Sequence, residues 1–138
     1  MYRFSEKSKA KLATCDGRLQ ELFNQVIKYY DCSVLEGHRS DERQEELFRQ
    51  GKSKLRAGQS KHNKNPSLAV DVAPYPIDWK KLDAGDKKEY NKFYYFVGYV
   101  KATADQLNIK IRCGADWDND NDLNDQTFFD LPHFELVE

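Results

Sequence analysis

Between Ser67 and Ala73 the chain alternates: Leu68, Val70 and Val72 are bulky and apolar, while Ala69, Asp71 and Ala73 are small or charged. Side chains leave a strand on alternate faces, so this stretch predicts a short strand with its bulky set on a core. Asp71 then faces the other way, between two alanines that leave room beside it. Aspartate has poor strand propensity, so an acid fixed in mid-strand calls for a partner. The segment before it, Ser60 to Pro66, is polar, turn-rich and carries His62. A divalent cation shared by His62 and Asp71 answers that demand.

A third donor stands at the far end of the chain. Leu131 to Val137 reads as a closing strand, with Phe134 and Leu136 on its apolar side and His133 on the opposite one. Two histidines and an aspartate suit a zinc site whose fourth position stays open for water. Asp130 lies three residues before His133, and the intervening Leu131-Pro132 pair disfavours helix. Asp130 is therefore expected as a second carboxylate beside the metal, placed to take a proton from water. Taken singly, a loop histidine is usually a solvated side chain and a strand aspartate often a turn or cap residue.

The rest of the chain predicts an α+β domain. Ser5 to Leu12 reads as a short capped helix, and Leu19, Leu22, Phe23, Val26, Ile27 and Tyr30 recur at steps of three and four after Asp16. Cys32 to Glu36 is a strand, and Asp41 caps a helix running to about Gln50-Gly51. A basic loop, Gly51 to Gln59, leads to His62. Pro74 and Pro76 mark a break, a long helix runs from about Asp86 to Leu107, and Ile109 to Cys113 is a strand. Helices interrupted by short strands, without a regular strand-helix-strand repeat, predict a small antiparallel sheet flanked by helices. At 138 residues, one domain spanning 1–138 is expected, with no separate binding unit and a monomeric state.

Composition excludes several classes. Apolar residues make up 39% of the chain, which argues against disorder, and no run is long enough to span a membrane. Met1-Tyr2-Arg3-Phe4-Ser5 does not open a signal peptide, so synthesis and residence in a cytoplasm are expected. Three cysteines without paired spacing predict buried, reduced thiols. Residues 113–138 hold eight of the 23 acids and none of the 22 basic residues, which leaves the preceding part at +7. That charge suits an anionic polymer surface or plain solvation; no nucleic-acid motif accompanies it.

Ser60-x-His62, Ala69-Val70-Asp71 and Asp130-Leu131-Pro132-His133-Phe134-Glu135-Leu136, in that order, resemble the zinc D-alanyl-D-alanine metallopeptidases, carboxypeptidases and dipeptidases. Within that family the resemblance is closest to the bacteriophage L-alanyl-D-glutamate endopeptidases, the peptidase-type endolysins. Glu36-Gly37-His38-Arg39-Ser40 with Gln44 is similar to the family's Gly-x-Arg-Ser segment, and Cys113-Gly114-Ala115-Asp116-Trp117 to its Trp-Gly-Gly-Asp-Trp. Two residues around Asn65-Pro66 look inserted, and Cys113 and Ala115 replace the usual Trp and Gly. The resemblance implies zinc on His62, Asp71 and His133, Asp130 as the proton-transferring carboxylate, and Arg39 orienting substrate and stabilising the oxyanion. It also implies Ser60 and Trp117 as substrate-binding residues, a peptidoglycan stem peptide as substrate, and action at the wall after release by a separate route. Trimming of D-Ala-D-Ala ends and wall binding without catalysis are the alternatives. His38 is expected to be structural or to face solvent rather than to serve as a fourth ligand.

One further cation is expected from the acidic run after Trp117. Asp118, Asp120 and Asp122 offer oxygen at alternate positions, as a loop wrapping calcium requires. The glycine and glutamate that an EF-hand needs are missing, so the loop is EF-hand-like at most. Calcium regulation of some phage relatives in this region makes the expectation relevant here.

Overall fold

The computed structural model describes residues 1–121 and 130–137. At its centre lies an antiparallel sheet in the order β1-β2-β4-β3, formed by β1 (Cys32–Glu36), β2 (Ala69–Pro74), β3 (Ile111–Gly114) and β4 (Asp130–Leu136). Around it stand α1 (Glu6–Leu12), α2 (Gly17–Val26), α3 (Asp41–Arg49), α4 (Trp79–Asp83) and α5 (Lys87–Gln106). The α+β expectation holds. No helix among the described residues is long and apolar enough to cross a membrane.

Each helix starts on a serine or aspartate whose side chain accepts a backbone N–H of the first turn: Ser5, Asp16, Ser40, Asp78 and Asp86. Ser40, not Asp41, caps α3; Asp41 lies inside the first turn, where its charge complements the helix dipole. The three-four spacing of α2 runs on to Tyr30, but the helix ends at Val26 and the next residues wind into a turn. The sequence reading has no counterpart of α4, which is too short for periodicity to register. Strand β3 begins at Ile111, two residues later than expected, because Asn108 at φ 57° ends the α5 turn.

Alternation in β2 and β4 divides the sheet into two faces. Val70, Val72, Phe134 and Leu136 are fully buried on the helix side, where Phe134 meets Phe23 of α2 at 5.4 Å and Phe96 of α5 at 6.2 Å between ring centroids. Burying side chains of this size stabilises by about 1.5–3 kcal/mol each. The opposite face carries Asp71, His133, Glu135 and Arg112. The three cysteines are free and buried, and burial pushes Cys15 and Cys32 up to about 11 and about 12, so both are inert thiols at neutral pH.

Two irregularities depart from the flat pleat. A bulge between Val34 and Glu36 sets Glu36 opposite Asp71. A larger one on β4 pairs Cys113 with Phe134 but the next residue, Gly114, with Asp130. In a regular strand Asp130 and His133, three apart, point to opposite faces; the bulge lets both line one cleft. Gly114 makes this possible, because a Cβ there would stand 2.0 Å from the Asp130 carbonyl oxygen. Replacement Gly114→Ala is expected to cost about 1–3 kcal/mol of stability and to displace Asp130. Thermal denaturation together with turnover measurements checks this; an unchanged melting temperature refutes the packing argument.

Candidate active site

Asp71 and His133 are direct partners across the β2–β4 ladder. Their placement follows from the register: opposite residues of adjacent strands share a face, within side-chain reach. His62 comes from elsewhere, a 3₁₀ turn at Lys61–Asn63 capped by Ser60, whose Oγ accepts the His62 N–H at 3.1 Å. The Arg39 N–H donates to the His62 carbonyl at 2.8 Å, which ties this turn to the segment after β1. His62 is 1% exposed.

The two imidazoles are aimed by their outer nitrogens. His62 Nδ1 lies 2.7 Å from the Gly37 carbonyl, and His133 Nε2 lies 2.8 Å from Glu135 Oε1. A carbonyl or a carboxylate can only accept, so each of these nitrogens carries the proton. That leaves His62 Nε2 and His133 Nδ1 turned toward one oxygen, Asp71 Oδ1, at 3.2 and 3.3 Å. One donor atom from each residue falls within a 4.8 Å cluster. Three ligands at zinc distances of about 2.0–2.1 Å in a tetrahedron stand roughly 3.3 Å apart, so the donor set fits zinc. A lone pair of neutral His62 directed at a carboxylate oxygen is repulsive unless a positive charge lies between them. Fixing the far nitrogens is also the usual support of histidine ligands.

Without metal, protons do that work. Burial alone would raise Asp71, but hydrogen bonds from His133 and His62 hold its carboxyl well below the usual range. Burial alone would lower His133, yet Asp71 and Glu135 raise it from 6.5 to about 9. Glu135 is correspondingly held down at about 2, burial being outweighed by His133 and Arg112. Asp130 behaves in the opposite way: burial, then the charge of Asp71, pushes its carboxyl up.

These groups open onto a cleft of about 470 Å³, lined also by Arg39, Ser60, Asp130 and Trp117. Arg39 is 10% exposed and donates to Glu36 Oε1 at 2.8 Å and to Gln44 Oε1 at 2.8 Å, while standing 3.6 Å from Asp71. Trp117 tilts over His133 at 5.2 Å between ring centroids. All of the expected zinc-site and cleft residues thus meet in one place. His38 is exposed and lies outside the lining. Glu36, Lys61, Arg112 and Glu135 line the cleft, and buried Gln44 braces Arg39, without having been assigned a role from sequence. Only Glu135 had a usable signal, since it lies two residues from His133 and so shares its face.

The acidic run forms a separate cluster. Carboxylates of Asp116, Asp118 and Asp120 come within 4.8 Å of one another. Asp118 and Asp120 are expected members; Asp122 lies outside the described residues, and the added member is Asp116. Its Oδ2 accepts from the Asn121 N–H and from Lys101 Nζ, at 2.7 and 3.2 Å. Its Oδ1 is buried and finds no hydrogen-bond partner among the described residues. A hard cation would satisfy that oxygen, so the cluster fits calcium.

Comparison with known proteins adds three findings. A family profile described as phage L-alanyl-D-glutamate peptidase matches residues 1–137. The L-alanyl-D-glutamate peptidase of Escherichia phage T5 is 30% identical over 145 residues, covering 99% of this chain and 98% of that protein. The crystal structure of the Serratia marcescens L-Ala D-Glu endopeptidase ChiX superposes with a TM-score of 0.74 at 27% identity, covering 98% of this chain and 90% of that one.

Two pH effects follow from His133. Its pKa is raised from 6.5 to about 9 in the metal-free fold, so its contribution to stability is complete below 6.5 and lost as pH rises through about 9. Metal uptake below that pH must expel the extra proton, so apparent zinc affinity should rise about tenfold per pH unit up to about 9. Calorimetry in buffers of different ionisation enthalpy should record release of about one proton; release of none refutes the protonated state.

Proposed function

This chain belongs to the phage L-alanyl-D-glutamate peptidase family, and from that premise we propose that it is a zinc endopeptidase that hydrolyses the L-alanyl-D-glutamate bond of peptidoglycan stem peptides, as a phage-type endolysin. One observation carries the reading. Three donors from separate parts of the chain, His62, Asp71 and His133, face one point in a cleft that also holds a half-buried carboxylate and a fixed guanidinium.

His62, Asp71 and His133 would hold the zinc, which supplies Lewis acidity toward the scissile carbonyl and toward the attacking water. The carboxylate of Asp130 takes the proton of that water and returns it to the leaving amine. Its raised affinity for protons suits both transfers, because a base poised nearer neutrality can also act as an acid. Arg39, braced by Glu36 and Gln44, offers donors in a fixed plane where negative charge develops on the carbonyl oxygen. Trp117 and Ser60 line the substrate's path, Ser60 chiefly by shaping the His62 turn. Asp116, Asp118 and Asp120 would bind calcium, the second cofactor of this reading, in the segment leading toward Asp130. The enzyme acts at the cell wall once another agent has released it from the cytoplasm.

A D-Ala-D-Ala carboxypeptidase or dipeptidase could use the same donors, and product masses separate the two. Cleavage at the L-alanyl-D-glutamate bond frees the stem peptide, whereas trimming removes its end. Asp130→Ala should lower turnover at least about a hundredfold while keeping its zinc, and Asp71→Ala should lose both. Wild-type turnover by Asp130→Ala on purified peptidoglycan refutes the assigned base. Calcium titration should yield binding that Asp116→Ala abolishes; absence of binding below millimolar concentration removes the second cation.

A further inference from the structure

We propose that Arg112 is the substrate-reading residue of the leaving-group side, binding the free carboxylate of the glutamate whose nitrogen is released. The inference rests on the endopeptidase reading above and adds to it a specificity determinant. A glutamate acylated on nitrogen has two carboxyl groups, and the peptide continues through only one. The other is an anion within a few bonds of the scissile nitrogen, so a cleft that cuts this bond must accommodate it.

The described cleft lining carries five formal cations against four carboxylates, before any metal adds charge. The two others nearest the donor cluster are already committed. Arg39 is clamped by Glu36 and Gln44. Lys61 donates to the Leu136 carbonyl and pairs with Glu135 at 3.3 Å. Arg112 differs. Its Nη2 donates to Glu135 Oε2 at 2.8 Å, its buried Nε has no hydrogen-bond acceptor among the described residues, and the side chain as a whole remains 43% exposed in the cleft wall. A guanidinium has five donors in one plane, so this one is short of acceptors while standing beside the reaction site.

It is also held ready. The Trp117 ring lies 5.6 Å below the guanidinium carbon, and the same ring tilts over His133. Glu135 bridges Arg112 and His133 with its two oxygens, at 2.8 Å each. The plane of Arg112 is therefore set relative to the metal ligand. That arrangement suits bidentate capture of a carboxylate, which a lysine at the same place could not reproduce.

The test uses two defined muropeptides that differ only in whether the free glutamate carboxyl is a carboxylate or an amide. Wild-type enzyme should cut the carboxylate form with kcat/KM about ten- to a hundredfold higher, the range of a charge-assisted hydrogen bond. Arg112→Gln should bring the ratio close to unity, with the loss in kcat/KM falling mainly on the carboxylate substrate and the smaller loss on the amide form. Arg112→Lys should keep a reduced preference and serves as the test if Arg112→Gln does not fold. A wild type without preference, or a variant that slows both peptides equally, overturns the assignment alone. Failure of the wild type to cut either peptide overturns the endopeptidase reading itself, and this assignment falls with it.

Discussion

The Asp71–His133 pairing across β2 and β4 is the contact on which the architecture turns. It is a question of register before it is one of chemistry. Val70 and Val72 on one strand, and Phe134 and Leu136 on the other, are all buried against α2 and α5. A slip of one residue would expose that set and drive the carboxylate into the core. The hydrophobic interior therefore fixes the position of a polar pair on the far side of the sheet. His62 is brought to that pair by the Gly37 carbonyl and by the Arg39 backbone bond, both from the segment following β1.

Around this regular centre, the chemistry depends on departures from regularity. The bulge at the end of β1 sets Glu36 beside Arg39, and the bulge at the start of β4 turns Asp130 into the cleft. Bulges re-aim side chains without disturbing the neighbouring pairing. Buried charge is compensated locally: Glu135 meets His133, Arg112 and Lys61, and Arg39 meets Glu36 and stands near Asp71. Breaking one partner of such a group leaves the others uncompensated, so the cluster behaves as a unit.

Legibility in the sequence followed physical range. Alternation around Asp71 and His133 was readable because the pleat is a local property, and the pairing of the two strands then placed both residues on one face. Helix starts at Asp16 and Asp86 were readable from capping chemistry, while Ser40 was mistaken for its neighbour Asp41 because both residue types cap. The convergence of His62 with the strands was inferred from donor chemistry and reinforced by resemblance to a family, since a turn held by the Gly37 carbonyl leaves no mark in residue spacing. Arg112 and Lys61 escaped notice for a similar reason: their meeting at Glu135 depends on strand register and on a turn, both long-range. In the acidic run Asp118 and Asp120 meet as expected, Asp122 lies outside the described residues, and Asp116 is the member that was not anticipated. Asp116 reads as part of the tryptophan motif, yet its carboxylate is turned to Asp118 and Asp120.

Strand β4 follows every other element in chain order but lies inside the sheet, between β2 and β3. During synthesis, the nascent polypeptide must wait with an open seam until β4 clears the ribosome. That segment brings both His133 and Asp130, so their cluster with His62 and Asp71 cannot assemble beforehand. Sheet and cleft are thus completed in a single closing event, and a chain cut short before β4 would lack both.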